Sequence, residues 1–216
     1  MKVAILSESP ADEAALRILV GAVLGPLTSF GEIPPVRSRG WPSVRNVLRA
    51  VIPHLQYQTD VAGLVLVVDS DDTSVHEPGH EAVRDARCRL CELRLEIEAA
   101  IDSLKKVPGR KLITVAAGLA VPAIEAWYLC GKPGNVSEAA WIQGLRAPPG
   151  PYDRNRLKKE VYGTDRPSLA RQTERAVEEA LRLAKDLSSL RRLFPGGYLP
   201  LENELRCWIG KLPVAP

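Results

Sequence analysis

Glu8 and Asp69 each follow directly on an apolar run, KVAILS before the first and GLVLVV before the second, and Asp71 and Asp72 continue the second as DSDD. Carboxylates at neighbouring strand ends can share a cation such as Mg²⁺, which takes oxygen ligands and keeps several waters. Asp69 and Asp71 stand at alternate positions and share a face if the strand continues. The competing reading is a solvated acidic turn, where Asp is common. Glu125 lies in the helical pattern VPAIEAWYL and also reads as a surface carboxylate. Lys158 and Lys159 read as solvated cations. His76 and His80, four apart beside DSDD, are candidate supporting or leaving-group residues, although Glu77-Pro78-Gly79 interrupts any helix that would align them. Whether Asp72, His76 or His80 joins the acids stays open, and His54, on an amphipathic helix, reads as structural.

The elements around these residues alternate. Residues 2–7 and 63–68 read as buried strands, 111–116 as another, and 33–36 as a short edge strand weakened by Pro34 and Pro35. Pro10 opens a helix to about Leu24, with Asp12 and Glu13 in its first turn. A second helix begins at Pro42-Ser43 and is kinked or ended at Pro53, and a long helix is expected from about Glu81 to Lys105. Strands alternating with helices predict an α/β fold with a parallel sheet flanked by helices. Beyond Val121 only helical patterns remain, separated by Pro/Gly-rich breaks such as PPGPYD at 148–153. The division predicted is an α/β core over 1–120 and an all-helical C-terminal part over 121–216.

Composition narrows the class. The chain has 216 residues, 29 Lys+Arg, 26 Asp+Glu and 45% hydrophobic residues, which excludes bulk disorder. No apolar run approaches the roughly 20 residues that span a bilayer, and the N-terminus lacks the pattern of a secretory signal, so the expectation is a cytoplasmic protein without membrane contact. The net charge of +3 is too small to announce nucleic-acid binding by itself. Its distribution adds a little: residues 1–120 hold 14 Lys+Arg and 15 Asp+Glu, whereas 121–216 hold 15 and 11. Cys88 and Cys91 form one C-x-x-C pair inside the long helical pattern. No second pair follows at metal-ligand spacing, so they and Cys130 and Cys207 read as packed thiols.

Glu8-Ser9-Pro10-Ala11-Asp12 has the form E-x-P-x-D and Asp69-Ser70-Asp71 the form D-x-D, each directly after a strand. The pair resembles the TOPRIM fold of topoisomerases, primases and OLD-type nucleases, with Ser9 where a glycine is usual. Glu125-Ala126-Trp127-Tyr128-Leu129 resembles the E-x-W-h-L helix (h apolar) of a TOPRIM-like family of unknown function, often encoded beside ATPases in prokaryotic defence loci. The resemblance covers most of the chain. It implies a TOPRIM-like (Rossmann-like) sheet and a nuclease in which Glu8, Asp69, Asp71 and Glu125 hold Mg²⁺ or Mn²⁺. Lys158 would stabilise phosphoryl charge, and Arg154, Arg156, Lys159, Arg191 and Arg192 would contact a nucleic-acid backbone, DNA ahead of RNA. An ATPase and a second copy of the chain are candidate partners, with anti-phage defence as the setting.

Two other readings compete. One is a non-catalytic sensor or adaptor that binds an ATPase. The other takes Asp69-Ser70-Asp71-Asp72-Thr73 as the D-x-D-x-T opening of a haloacid-dehalogenase-like phosphatase, with Asp69 as nucleophile and Asp71 as acid/base. That family also needs a later acidic pair, which nothing after residue 121 supplies.

Overall fold

The computed structural model describes residues 1–34, 40–147, 150 and 152–209. Four parallel strands, β1 (Lys2–Leu6), β2 (Ser29–Phe30), β3 (Gly63–Asp69) and β4 (Thr114–Ala120), form one sheet in the order β2-β1-β3-β4. Apolar side chains on both faces bury β1 and β3, as their unbroken hydrophobic runs require. Helices α1 (Pro10–Leu24), α2 (Gly40–Gln58) and α3 (Arg89–Asp102) belong to the crossovers, and α2 packs on α3. After β4 come α4 (Ile124–Tyr128), α5 (Glu138–Arg146), α6 (Arg154–Tyr162), α7 (Leu169–Leu183), α8 (Ser188–Leu193) and α9 (Tyr198–Ile209). The change of element type falls at the end of β4. Helix α7 packs against α1, and α9 against β4, so the helical part shares one continuous core with the sheet.

Several elements differ from expectation. The edge strand is Ser29–Phe30 and not 33–36; Ile33 and Pro34 are irregular, and the rest of that segment lies outside the described residues. Helix α2 runs through Pro53, held by the buried residues Leu48, Val51, Ile52 and Leu55 around it. The strand expected at 111–116 is displaced to Thr114–Ala120 by its pairing with β3, in which Thr114 faces Gly63. The long helix expected from Glu81 starts only at Arg89. Before it come a 3₁₀ turn at Pro78–Glu81 and a local turn in which Asp85 accepts the Arg87 amide at 2.8 Å. The 148–153 loop lies partly outside the described residues.

One acid anchors the helical part. Glu138, 3% exposed, accepts the amides of Gly196 and Gly197 at 2.7 and 2.8 Å, immediately before α9. Burial pushes its carboxyl up to about 7, against the opposing pull of those two amides. The folded chain therefore binds this proton more tightly than the unfolded chain. The resulting stability is complete below about pH 4.5 and lost as pH rises through about 7, a difference on the order of 3 kcal/mol. Urea titrations at pH 5 and pH 8 should show this loss in the parent and a shallower one in Glu138→Gln. Equal slopes in the two chains would refute it.

Candidate active site

In an open parallel sheet, ligands bind beyond the carboxyl ends of the strands, where the strand order reverses. Here that point lies between β1 and β3. Glu8 leaves β1 and Asp69 ends β3, and a hydrogen bond joins them: Glu8 Oε1 accepts the Asp69 amide at 2.9 Å. Asp69 Oδ1 in turn accepts the Ile124 amide at 2.9 Å and so caps α4. The cap places a carboxylate at the positive end of the short helix and sets Glu125, the next residue, beside Asp69. At its other end α4 is held by Arg182 of α7, which donates to the carbonyls of Tyr128 and Cys130 at 2.8 and 3.0 Å.

Glu8, Asp69 and Glu125 thus come together, and Asp12 joins them from the first turn of α1. Helix α1 is capped by Ser9, whose hydroxyl accepts the Asp12 amide at 3.2 Å. Burial, followed by repulsion from Glu125, Glu8 and Asp12, holds the Asp69 carboxyl well above its ordinary range. Burial, then the charges of Glu125 and Glu8, pushes Asp12 up to about 7, although Ser9 pulls the other way. Glu8 is also raised, by burial and by Asp71, against the Asp69 amide, Arg89 and Arg154. Burial, then the charges of Glu125 and Asp12, holds the Tyr162 hydroxyl well above its ordinary range. Tyr128, near Asp12, Glu125 and Asp69, buries a hydroxyl that has no hydrogen-bond partner among the described residues. Sequence reasoning treated Asp12 as a first-turn helix acid; its place in E-x-P-x-D, one turn after Glu8, was the signal for this role.

Asp71 is differently placed. It adopts φ 50° just beyond β3, and its amide donates to the Pro122 carbonyl at 2.9 Å. Arg89 Nη1 meets Asp71 Oδ2 at 2.6 Å, and Arg154 Nη1 meets Oδ1. The Arg89 Nη1 also donates to the Asp69 carbonyl at 2.7 Å, and its guanidinium lies 5.5 Å from the Trp41 ring centre. Arg154 Nη2 is 3.8 Å from Asp69 Oδ2. Two cations therefore border the acids. Arg154 was among the expected phosphate contacts; Arg89, on the first residue of α3, had no sequence signal that separated it from its arginine-rich surroundings.

The remaining expected residues scatter. The side chains of Lys158 and Lys159, one turn along α6 from Arg154, make no hydrogen bond or ion pair among the described residues, and Lys159 is exposed. Arg156 is exposed and pairs with Glu160 at 2.7 Å. Arg191 on α8 is committed to Glu202, a 1% exposed acid that Arg206 also meets, each at 2.6 Å. Arg192 is exposed beside it, and Asp72 is exposed beyond Asp71. His76 and His80 do not face the acids; they meet Cys88 and Cys91 instead.

The cluster of Glu8, Asp12, Asp69 and Glu125 offers oxygen donors only, and burial, more than mutual repulsion, raises three of its four carboxyls. No helix among the described residues is long and apolar enough to cross a membrane. No family model, no curated protein and no solved structure matches the chain.

Proposed function

We propose that the protein is a divalent-metal-dependent nuclease with a TOPRIM-like sheet. The observation that supports this reading most is the gathering of Glu8, Asp12, Asp69 and Glu125 at the reversal point of a parallel sheet, bordered by Arg89 and Arg154. Mg²⁺ or Mn²⁺ bound there would polarise the phosphoryl group and lower the pKa of water. Glu8, Asp69 and Glu125 would hold it, with Asp12 as a further acid. Arg89 and Arg154, fork-shaped cations already aligned by Asp71, would meet the phosphodiester. Asp71 acts in this scheme by orienting those two guanidinium groups. The phosphatase alternative asks Asp71 to act as a free acid/base, whereas both its oxygens are engaged by arginines. A defence setting, an ATPase partner and a second copy of the chain belong to the same proposal through the resemblance.

The test is incubation of the purified chain with supercoiled plasmid and with single-stranded DNA and RNA, in Mg²⁺, Mn²⁺ or EDTA. The expected result is cleavage in metal, none in EDTA, and none in Asp69→Ala with its circular-dichroism spectrum retained. Metal-induced thermal stabilisation without cleavage, lost in Asp69→Ala, would favour the sensor reading. Cleavage unchanged by Asp69→Ala would end the assignment.

A further inference from the structure

The segment between β3 and α3 has only one short 3₁₀ turn, Pro78–Glu81, for regular structure, yet it must place Asp71 and Arg89. Within it lies a second constellation. Potential ligand atoms of His76, His80, Cys88 and Cys91 all fall within 4.8 Å of one another. Cys88 and Cys91 are buried, and His76 is 4% exposed. His76 Nδ1 stands 3.5 Å from Cys88 Sγ and 3.7 Å from Cys91 Sγ. A tetrahedral zinc with Zn–S near 2.3 Å and Zn–N near 2.0–2.1 Å would separate sulfur from nitrogen by about 3.6 Å. Two thiols around one imidazole nitrogen are therefore already at ligand spacing.

A second observation concerns the other imidazole nitrogen. His76 Nε2 lies 2.9 Å from Glu81 Oε1, and Glu81 is itself fixed by Arg94 at 2.7 Å. Zinc-ligating histidines commonly give their distal N–H to a carboxylate, which sets the tautomer and ring orientation. That pairing leaves Nδ1 bare toward the thiols. His80 follows from the 3₁₀ turn, its ring edge-on to His76 at 5.3 Å. Cys88 and Cys91 enter from the cap and first turn of α3.

We propose that His76, His80, Cys88 and Cys91 bind one structural zinc ion. The spacing is H-x₃-H-x₇-C-x₂-C, with both histidines ahead of both cysteines. All four positions are filled by protein, so the site is closed to a substrate. Its effect is to staple an irregular loop whose next residue, Arg89, reaches Asp69 and Asp71. Zinc here organises the neighbourhood of the acids without belonging to them.

The test is elemental analysis of full-length protein purified without chelators, followed by cobalt substitution. One zinc per chain is expected, released when a mercurial modifies the thiols. Cobalt should give the visible bands of a tetrahedral site and a near-ultraviolet thiolate-to-metal band. Glu81→Gln should weaken zinc affinity by about 10–100-fold while leaving all four ligands in place, which keeps the proposal testable if Cys88→Ser/Cys91→Ser fails to fold. Asp69→Ala should keep its zinc, so failure of the nuclease reading leaves this result standing. A native chain that takes neither zinc nor cobalt, a Cys88–Cys91 disulfide found by mass, or zinc lost in Asp69→Ala would each overturn the proposal.

Discussion

Asp12→Asn should lose metal-dependent cleavage while becoming more stable than the parent in the absence of metal. Asp12 feels the charges of Glu125 and Glu8 and raises Asp69 in turn, and burial denies these carboxylates the water that would screen them. An amide of nearly the same shape removes one negative charge from the cluster. The metal-free gain should be about 1–2 kcal/mol, or roughly 2–8 °C in Tm for a chain of this size. A hard cation loses an anionic oxygen by the same change. Stabilisation of phosphoryl-transfer charge by a metal is worth several kcal/mol, so cleavage should fall at least about a hundredfold. The rise in Tm on adding Mg²⁺ should shrink as well, because binding to the folded state stabilises in proportion to its affinity. A structural acid would not separate the two readouts in this way. An Asp12→Asn chain that cleaves normally, or that melts lower than the parent without metal, would exclude Asp12 from the site.

Short-range patterns were the legible part of this chain. The short apolar segment at 2–7 and the unbroken apolar run at 63–68 became β1 and β3, and Pro10 with its two first-turn acids opened α1 as expected. Those features bring Glu8 and Asp69 to adjacent strand ends. What could not be read depends on contacts between distant segments. Arg89 is 20 residues from the Asp69 carbonyl it meets, and nothing in RCRLCELR distinguishes it from Arg87 or Arg94. Cys88 and Cys91 fall within the helical pattern that predicts a helix from about Glu81 to Lys105. The local turn closed by Asp85 delays that helix and leaves Cys88 at its cap. The usual zinc spacing puts the second ligand pair downstream of C-x-x-C, whereas here the histidines precede the cysteines. Asp12 was visible as a helix-start acid, a role that Asp fills for local reasons alone.

Gly197→Ala should be the most destabilising single-methyl change along the site's support. A Cβ at Gly197 would stand 1.8 Å from the Leu119 carbonyl oxygen and 2.9 Å from its carbon. Both are backbone atoms of β4, so no side-chain rotation relieves the overlap. Gly196 is also tightly held, its Cβ position lying 2.3 Å from the His76 carbonyl oxygen. Glu138 fixes this glycine pair through both amides, and α9 begins with the next residue, Tyr198. Tyr198 packs edge-on to Trp127 of α4 at 5.4 Å, two residues from Glu125. Moving the turn to accommodate a methyl therefore breaks the Glu138 anchor, lifts α9 from β4 and loosens the helix that carries Glu125. A loss beyond about 4 kcal/mol is expected, a large part of the 5–15 kcal/mol typical of a folded chain. Gly25→Ala is the matched control. That residue has φ 90° and ψ 177°, a region essentially confined to glycine, but no atom within 4 Å of its Cβ position, so only backbone strain of about 1–3 kcal/mol applies. Urea denaturation of the two variants beside the parent separates the effects. Equal losses would mean that β4 and the glycine turn yield easily, and that the close approach of Gly197 to Leu119 does not hold α9 in place.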